Sequence, residues 1–369
     1  MSTELGQAGA AVVSTDLPSR RTRLADRYDQ VDVLRGLAAL CVVVSHYSSH
    51  SVKFFGAAPF HLDTIYGYYA VELFFVISGF VIALTLGRSG TWRDFAVSRA
   101  TRLYPVYWVS LTLMVVVERL VFGHPIWIGG YLANLTMVQE FLGVANLDNV
   151  YWSLTVELAF YTTIGAVFAT GFWRHIELVA AFWLATACLW SLLDEQLGFP
   201  LPALVHRQLV LAHVPFFIAG IAFYRIQARG ISWARGGLLL GALAAVGWME
   251  ALPLSPDAAD AALTRMGVTA LLFVLFGLAI TGQLRFAVSP VTLWLGSISY
   301  ALYLSHRNLG YSTMFRLHEA GVPVWINLIT VLAGALTLAT LLTYLVERPA
   351  QRALRQWYRS RTARQGGDR

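Results

Sequence analysis

Residues 67–84 read GYYAVELFFVISGFVIAL, with Glu72 as the one ionisable carboxylate in an otherwise apolar run. A bilayer-crossing helix needs roughly 20 mostly apolar residues, so this stretch, extended to 87, reads as a span. Nine further stretches read the same way: 31–50, 104–122, 152–171, 176–193, 209–225, 235–252, 265–281, 291–310 and 325–346. The apolar piece 131–143 is too short to cross and is expected to form a surface or re-entrant helix. Across all 369 residues, 57% are hydrophobic and only 13% charged, with mean hydropathy +0.59. A water-soluble domain carries about a quarter charged residues. The expected architecture is therefore all-α, a polytopic bundle of about ten transmembrane helices. One membrane domain, 31–350, is expected between a disordered cytoplasmic tail at 1–30 and a basic cytoplasmic tail at 351–369.

The net charge of +6 and pI near 9.4 invite a nucleic-acid reading, but the placement of the charge excludes it. The loops on one side of a ten-span layout hold only Lys53, Arg207, Arg265, Arg307 and Arg316, and Arg35 and Arg119 lie within spans. The rest of the 27 Lys and Arg residues fall on the side of the two tails. Short loops rich in Lys and Arg stay cytoplasmic, so both termini are expected in the cytoplasm. The first 30 residues lack the apolar core of a cleavable signal peptide. Cys41 and Cys188 sit in apolar spans and indicate neither a disulfide framework nor a metal site. There is no repeat of fixed period.

Ionisable and polar groups inside spans are costly and tend to face an interior cavity. Arg35 and His46 are eleven residues apart, three helical turns, so they share one face about 16 Å apart along the axis. Imidazole readily takes and returns a proton near neutral pH. His46 is therefore either a general base for an acceptor hydroxyl or a histidine hydrogen-bonded within the bundle. Glu72 either orients His46 or pairs with an arginine that holds the bundle. Gly79, seven residues on, permits close approach of a helix or an acyl chain.

YWSLTVELAFY places Ser153, Glu157 and Tyr161 on one stripe, and SISYALYLSH does the same for Ser299, Tyr303 and His306. Each stripe is either interhelical bonding or the wall of a substrate pocket. His213, before Pro215, reads as structural. Arg99 and Arg102, at i and i+3 within the loop 88–103 that the charge rule places in the cytoplasm, are expected to point together. Paired guanidiniums suit phosphate; topology and lipid headgroups are the alternative reading.

Taken together, five of these segments resemble the acyltransferase-3 family of bacterial membrane O-acyltransferases, which includes O-antigen acetylases and exopolysaccharide-modifying enzymes. They are VDVLRGLAALCVVVSHY with Arg35 and His46, VELFFVISGFVIAL with Glu72 where aspartate is common, and FAVSRATRLYPVYW with Arg99 and Arg102. VYWSLTVELAFY carries Glu157, and ISYALYLSHRNLGY with YLVERPAQR closes the set. The resemblance spans about 30 to 355. It implies a multi-pass protein of the bacterial inner membrane that moves an acyl group, acetyl in the first instance, from acyl-CoA to a carbohydrate hydroxyl. It places His46, Glu72 and Glu157 in the catalytic set and Arg35, Arg99 and Arg102 on the donor. Ser153, Tyr161, Ser299, Tyr303 and His306 are expected in the acceptor pocket. Ser305-His306 stands where many members have tryptophan-histidine. No esterase-like domain follows residue 355, so a second transfer step is expected to need another protein. A transporter or flippase of a lipid-linked glycan stays open, although repeats and paired broken helices are missing. Acylation of a small cytoplasmic acceptor such as an antibiotic also stays open.

Overall fold

The computed structural model describes residues 20–367 apart from 57, 59, 88–90, 199–209 and 253–255. Arg88, Arg207 and the first 19 residues of the expected tail lie outside the described set. No strand occurs among the described residues. The helices are α1 (Arg20–Phe55), α2 (Thr64–Leu86), α3 (Trp92–Phe122), α4 (Ile128–Leu135), α5 (Trp152–Ala169), α6 (Ile176–Leu197) and α7 (Val214–Arg229). They continue as α8 (Trp233–Ala251), α9 (Pro256–Thr281), α10 (Pro290–Ser305), α11 (Arg307–Glu319), α12 (Val324–Leu342) and α13 (Arg348–Gly367).

All ten expected spans fall on helices, and eight of those helices are long and apolar enough to cross a membrane. The two that fall short are α10, with 16 residues, and α8, which carries arginine and several glycines in 19. Large apolar side chains such as Leu178 and Phe182 of α6 point outward at more than 70% exposure. Such a surface suits lipid, and the helices satisfy their own backbone bonds as a bilayer requires. The chain is a multi-pass membrane protein. Residues 20–30, expected as tail, continue α1 instead. The short segment expected near 131–143 is α4 followed by a 3₁₀ turn, Gln139–Leu142. Asn134 pins it: its side chain donates to the carbonyls of Gly130 (2.9 Å) and Ala145 (3.1 Å) and accepts from Leu147 N (3.1 Å).

Glycine contacts bring the central helices together. A Cβ on Gly36 of α1 would lie 2.5 Å from Gly296 N of α10, and one on Gly296 would overlap the Asp32 carbonyl oxygen. Gly79 of α2 and Gly220 of α7 form a second such contact, with Phe217 O and Val76 O in the way of any side chain. Gly79 thus serves helix packing, one of the two roles open for it in the sequence. Small residues allow this approach where no hydrophobic force drives helices together in lipid. Arg35 bonds Ser299, and eleven residues on His46 meets His306, so α1 and α10 run parallel. The end of the bundle where α1 starts is called the lower end below.

Gly296→Val places its branched side chain against backbone atoms that cannot yield. It is expected to cost more than the ~1–3 kcal/mol typical of overpacking, read as a lowered apparent Tm and loss of the monodisperse peak in detergent.

Candidate active site

Two cavities lie one above the other between α1, α2, α5 and α10. The lower one, about 760 Å³ of empty space, is lined by Arg35, Arg99, Arg102, Glu157, Tyr161 and Tyr300. Ser153, Ser299, Tyr303 and Val71 also face it. Arg35 reaches across α1 and α10: Nη1 donates to Asp32 Oδ1 (2.8 Å) and Nη2 to Ser299 Oγ (3.1 Å). Arg99, 9% exposed, makes a long contact from Nη2 to Thr85 Oγ1 (3.5 Å). Its buried Nε has no hydrogen-bond partner. Glu157 accepts from Ser78 Oγ (2.5 Å) and from the Tyr161 hydroxyl. One carboxylate is thus held by two hydroxyls beside three guanidiniums, of which Arg35 is also paired with Asp32.

The upper cavity is lined by His46, Thr64, Tyr68, Trp152 and, once more, Val71 and Tyr303. The two cavities therefore share a wall. Tyr303 and Ser153 close that wall through an O···O contact of 2.7 Å, and the Tyr303 hydroxyl also reaches Val150 O (3.2 Å). His46 Nδ1 lies 2.9 Å from His306 Nε2, and His306 is fully buried.

His306 stands at the break between α10 and α11, which explains its fixed placement. Its carbonyl accepts from Tyr47 OH (2.7 Å), and Asp148 receives Asn308 N (3.1 Å) at the start of α11. Burial raises the Asp148 carboxyl above its ordinary value, while the Arg307 guanidinium 3.4 Å away pulls the other way.

These placements correct four expectations. Glu72 is buried and ion-paired with Arg265 of α9, and it lines neither cavity. A carboxylate deep in the bundle takes the guanidinium that a neighbouring helix offers. Arg265 stacks over Tyr68 at 4.9 Å and also faces Glu250 (3.6 Å). It lies inside α9 rather than in a loop. Ser153, Tyr161 and Ser299, expected with the acceptor, line the cavity of the arginines. His306 lines neither cavity and contacts His46 instead. His213 packs against Phe75 and Trp152, with ring centroids 5.0 and 5.3 Å away.

Some residues of the site escaped the sequence reading. Ser78, beside Gly79, carries no signal of its own in the sequence. Tyr300 donates to Leu103 O (2.9 Å) and carries no periodic signal of its own. Glu347 ends a π-helical turn, Thr343–Glu347, and one of its buried oxygens has no partner. π-turns often mark functional sites, and nothing in the residue order announces one.

A helical membrane bundle with a cationic cavity on one side and a histidine cavity on the other has the layout of a transmembrane group-transfer enzyme. Residues 28–348 match the family model for the acyltransferase domain called acyltransferase 3, and the chain belongs to that family. It is 27% identical over 364 residues to Acyltransferase MdmB of Streptomyces mycarofaciens, covering 87% of this chain and 91% of that one. It is 25% identical over 390 residues to Peptidoglycan O-acetyltransferase OatA of Listeria monocytogenes, covering 90% and 57%. Nodulation protein 10 of Rhizobium leguminosarum is 26% identical over 149 residues, 35% of this chain and 40% of that one. No solved structure matches. The protein is a membrane acyltransferase, which decides against the transporter reading.

Arg265→Leu leaves the Glu72 carboxylate buried without its partner and is expected to cost about 3–5 kcal/mol. Adding Glu72→Gln should recover most of that loss. Thermal unfolding in detergent measures both, and transfer per folded molecule should follow the double variant back to the wild-type level.

Proposed function

We propose that the protein is an O-acyltransferase of the bacterial inner membrane that carries an acyl group, acetyl in the first instance, from acyl-CoA to a hydroxyl of a cell-surface or exported carbohydrate. The observation that carries this reading is the pair of cavities meeting at Val71 and Tyr303, one with three arginines and the other with His46. The lower end would face the cytoplasm, as the Lys and Arg placement favours. There the phosphates of coenzyme A would engage Arg102 and Arg99, and the buried, unpartnered Nε of Arg99 suits an anion. The thioester would extend upward beside Glu157, Ser153 and Ser299 toward the shared wall. The acceptor hydroxyl would enter the upper cavity and give its proton to His46 as its oxygen attacks the thioester carbonyl. The C–O bond forms, the C–S bond breaks, and the proton leaves on the thiol of coenzyme A. The carbohydrate acceptor is supported by the relative named as a peptidoglycan O-acetyltransferase.

Purified protein in lipid nanodiscs, given labelled acetyl-CoA and a panel of glycans, tests the reading. Label should appear in the glycan as an ester. His46→Ala should lose all measurable transfer, since general-base help alone contributes about 10²–10⁴-fold; near-normal transfer by this variant would reject the role. Label passing only to small hydroxylated compounds would move the acceptor to the antibiotic class.

Arg99→Ala combined with Arg102→Ala should raise KM for the donor about tenfold or more while KM for the acceptor stays within about twofold. Equal changes in both, in a folded protein, would remove the arginines from the donor site.

A further inference from the structure

The contact between His46 and His306 has a definite direction. α10 ends at Ser305, and the last four carbonyls of a helix have no intrahelical N–H. Two of them take the ring of His306: its Nδ1 lies 3.1 Å from Leu302 O and 2.9 Å from Tyr303 O. Carbonyl oxygens only accept, so Nδ1 carries a hydrogen. His306 is fully buried, and its partners are two carbonyls and another imidazole. With His46 and Arg307 as its basic neighbours, a charged ring there would be uncompensated, so the ring is neutral. Its single hydrogen sits on Nδ1 and its Nε2 is an acceptor.

His46 Nδ1, 2.9 Å from that nitrogen, must then be the donor. The two rings are within 12° of parallel with centroids 5.2 Å apart. At that N···N distance the arrangement is an in-plane N–H···N bond rather than face stacking.

We propose that His306 is a positioning residue that holds His46 in the Nδ1–H tautomer and thereby leaves the His46 Nε2 lone pair free toward the upper cavity. The inference rests on the base role given to His46 above. A ring nitrogen's hydrogen is set by the bond that the opposite nitrogen makes. With Nδ1 committed to His306, Nε2 takes the acceptor's proton and later returns it to the thiolate. Throughout, Nδ1–H keeps donating to His306, a bond that strengthens while His46 is cationic. Tyr47 and Gly310 maintain the frame. Tyr47 OH fixes the His306 carbonyl, and a side chain on Gly310 would overlap the Tyr47 ring.

Nitrogen-15 NMR of histidine-labelled protein in lipid, assigned by difference against His46→Ala, reads the tautomer directly. The expected spectrum shows His46 protonated at Nδ1 and bare at Nε2. Protonation at Nε2 alone in the wild-type protein would overturn the inference. In kinetics, His306→Leu should lower kcat by about 10²-fold or more with little change in either KM. His306→Gln, whose amide oxygen can still accept from Nδ1–H, should recover most of that loss. Wild-type kcat in a folded His306→Leu variant would equally overturn it. If neither variant folds, the wild-type spectrum decides. Transfer surviving in His46→Ala would instead defeat the base role, a result separate from the tautomer.

Discussion

The parallel contact of α1 and α10 is the constraint on which the site rests. Gly36 and Gly296 let the two backbones touch, and that touch sets one register along both helices. Arg35 then meets Ser299 and, three turns above, His46 meets His306, although 264 and 260 residues of chain separate the members of these pairs. Both ends of the proposed reaction path are therefore mounted on a single pair of helices. A slip of the pair would displace the lower and the upper chemistry together, which a site assembled from loops would not do.

Charge follows the same economy. The lower cavity brings Arg35, Arg99 and Arg102 together with Glu157, whose Oε1 accepts from both Ser78 and Tyr161. Glu72, equally acidic and in the same helix as Ser78, is absorbed by Arg265 and takes no part. Here the neighbouring helices give Glu72 a guanidinium and Glu157 two hydroxyls.

The helices were legible because hydrophobic runs and the 3.6-residue period are local properties of the chain. The shared face of Arg35 and His46 follows from their spacing alone, and both do face the interior of one bundle. Partners were not legible, because they come from helices far apart in sequence. Glu72 and Arg265 are 193 residues apart, and no pattern in either helix names the other. The apolar run starts at Arg265, which makes it look like a loop residue, whereas α9 already includes residues 256–264 with their polar turns. Similarly, α1 already includes residues 20–30, because a helix can continue into water beyond its apolar stretch. The division of the serine and tyrosine stripes between the two cavities depends on the rotation of α5 against α10, which sequence periodicity leaves undetermined.

The wall that Tyr303 and Val71 share between the cavities also governs permeability. An enzyme hollowed from both sides would be an ion leak if its hollows joined, and a respiring cell could not tolerate one that dissipated its proton gradient. A tyrosine hydroxyl tied to Ser153 and to a backbone carbonyl stands between the two hollows. The partition between the hollows thus rests largely on Tyr303, and on the proposed reading the bilayer's insulation and the meeting of the two substrates depend on the same residue.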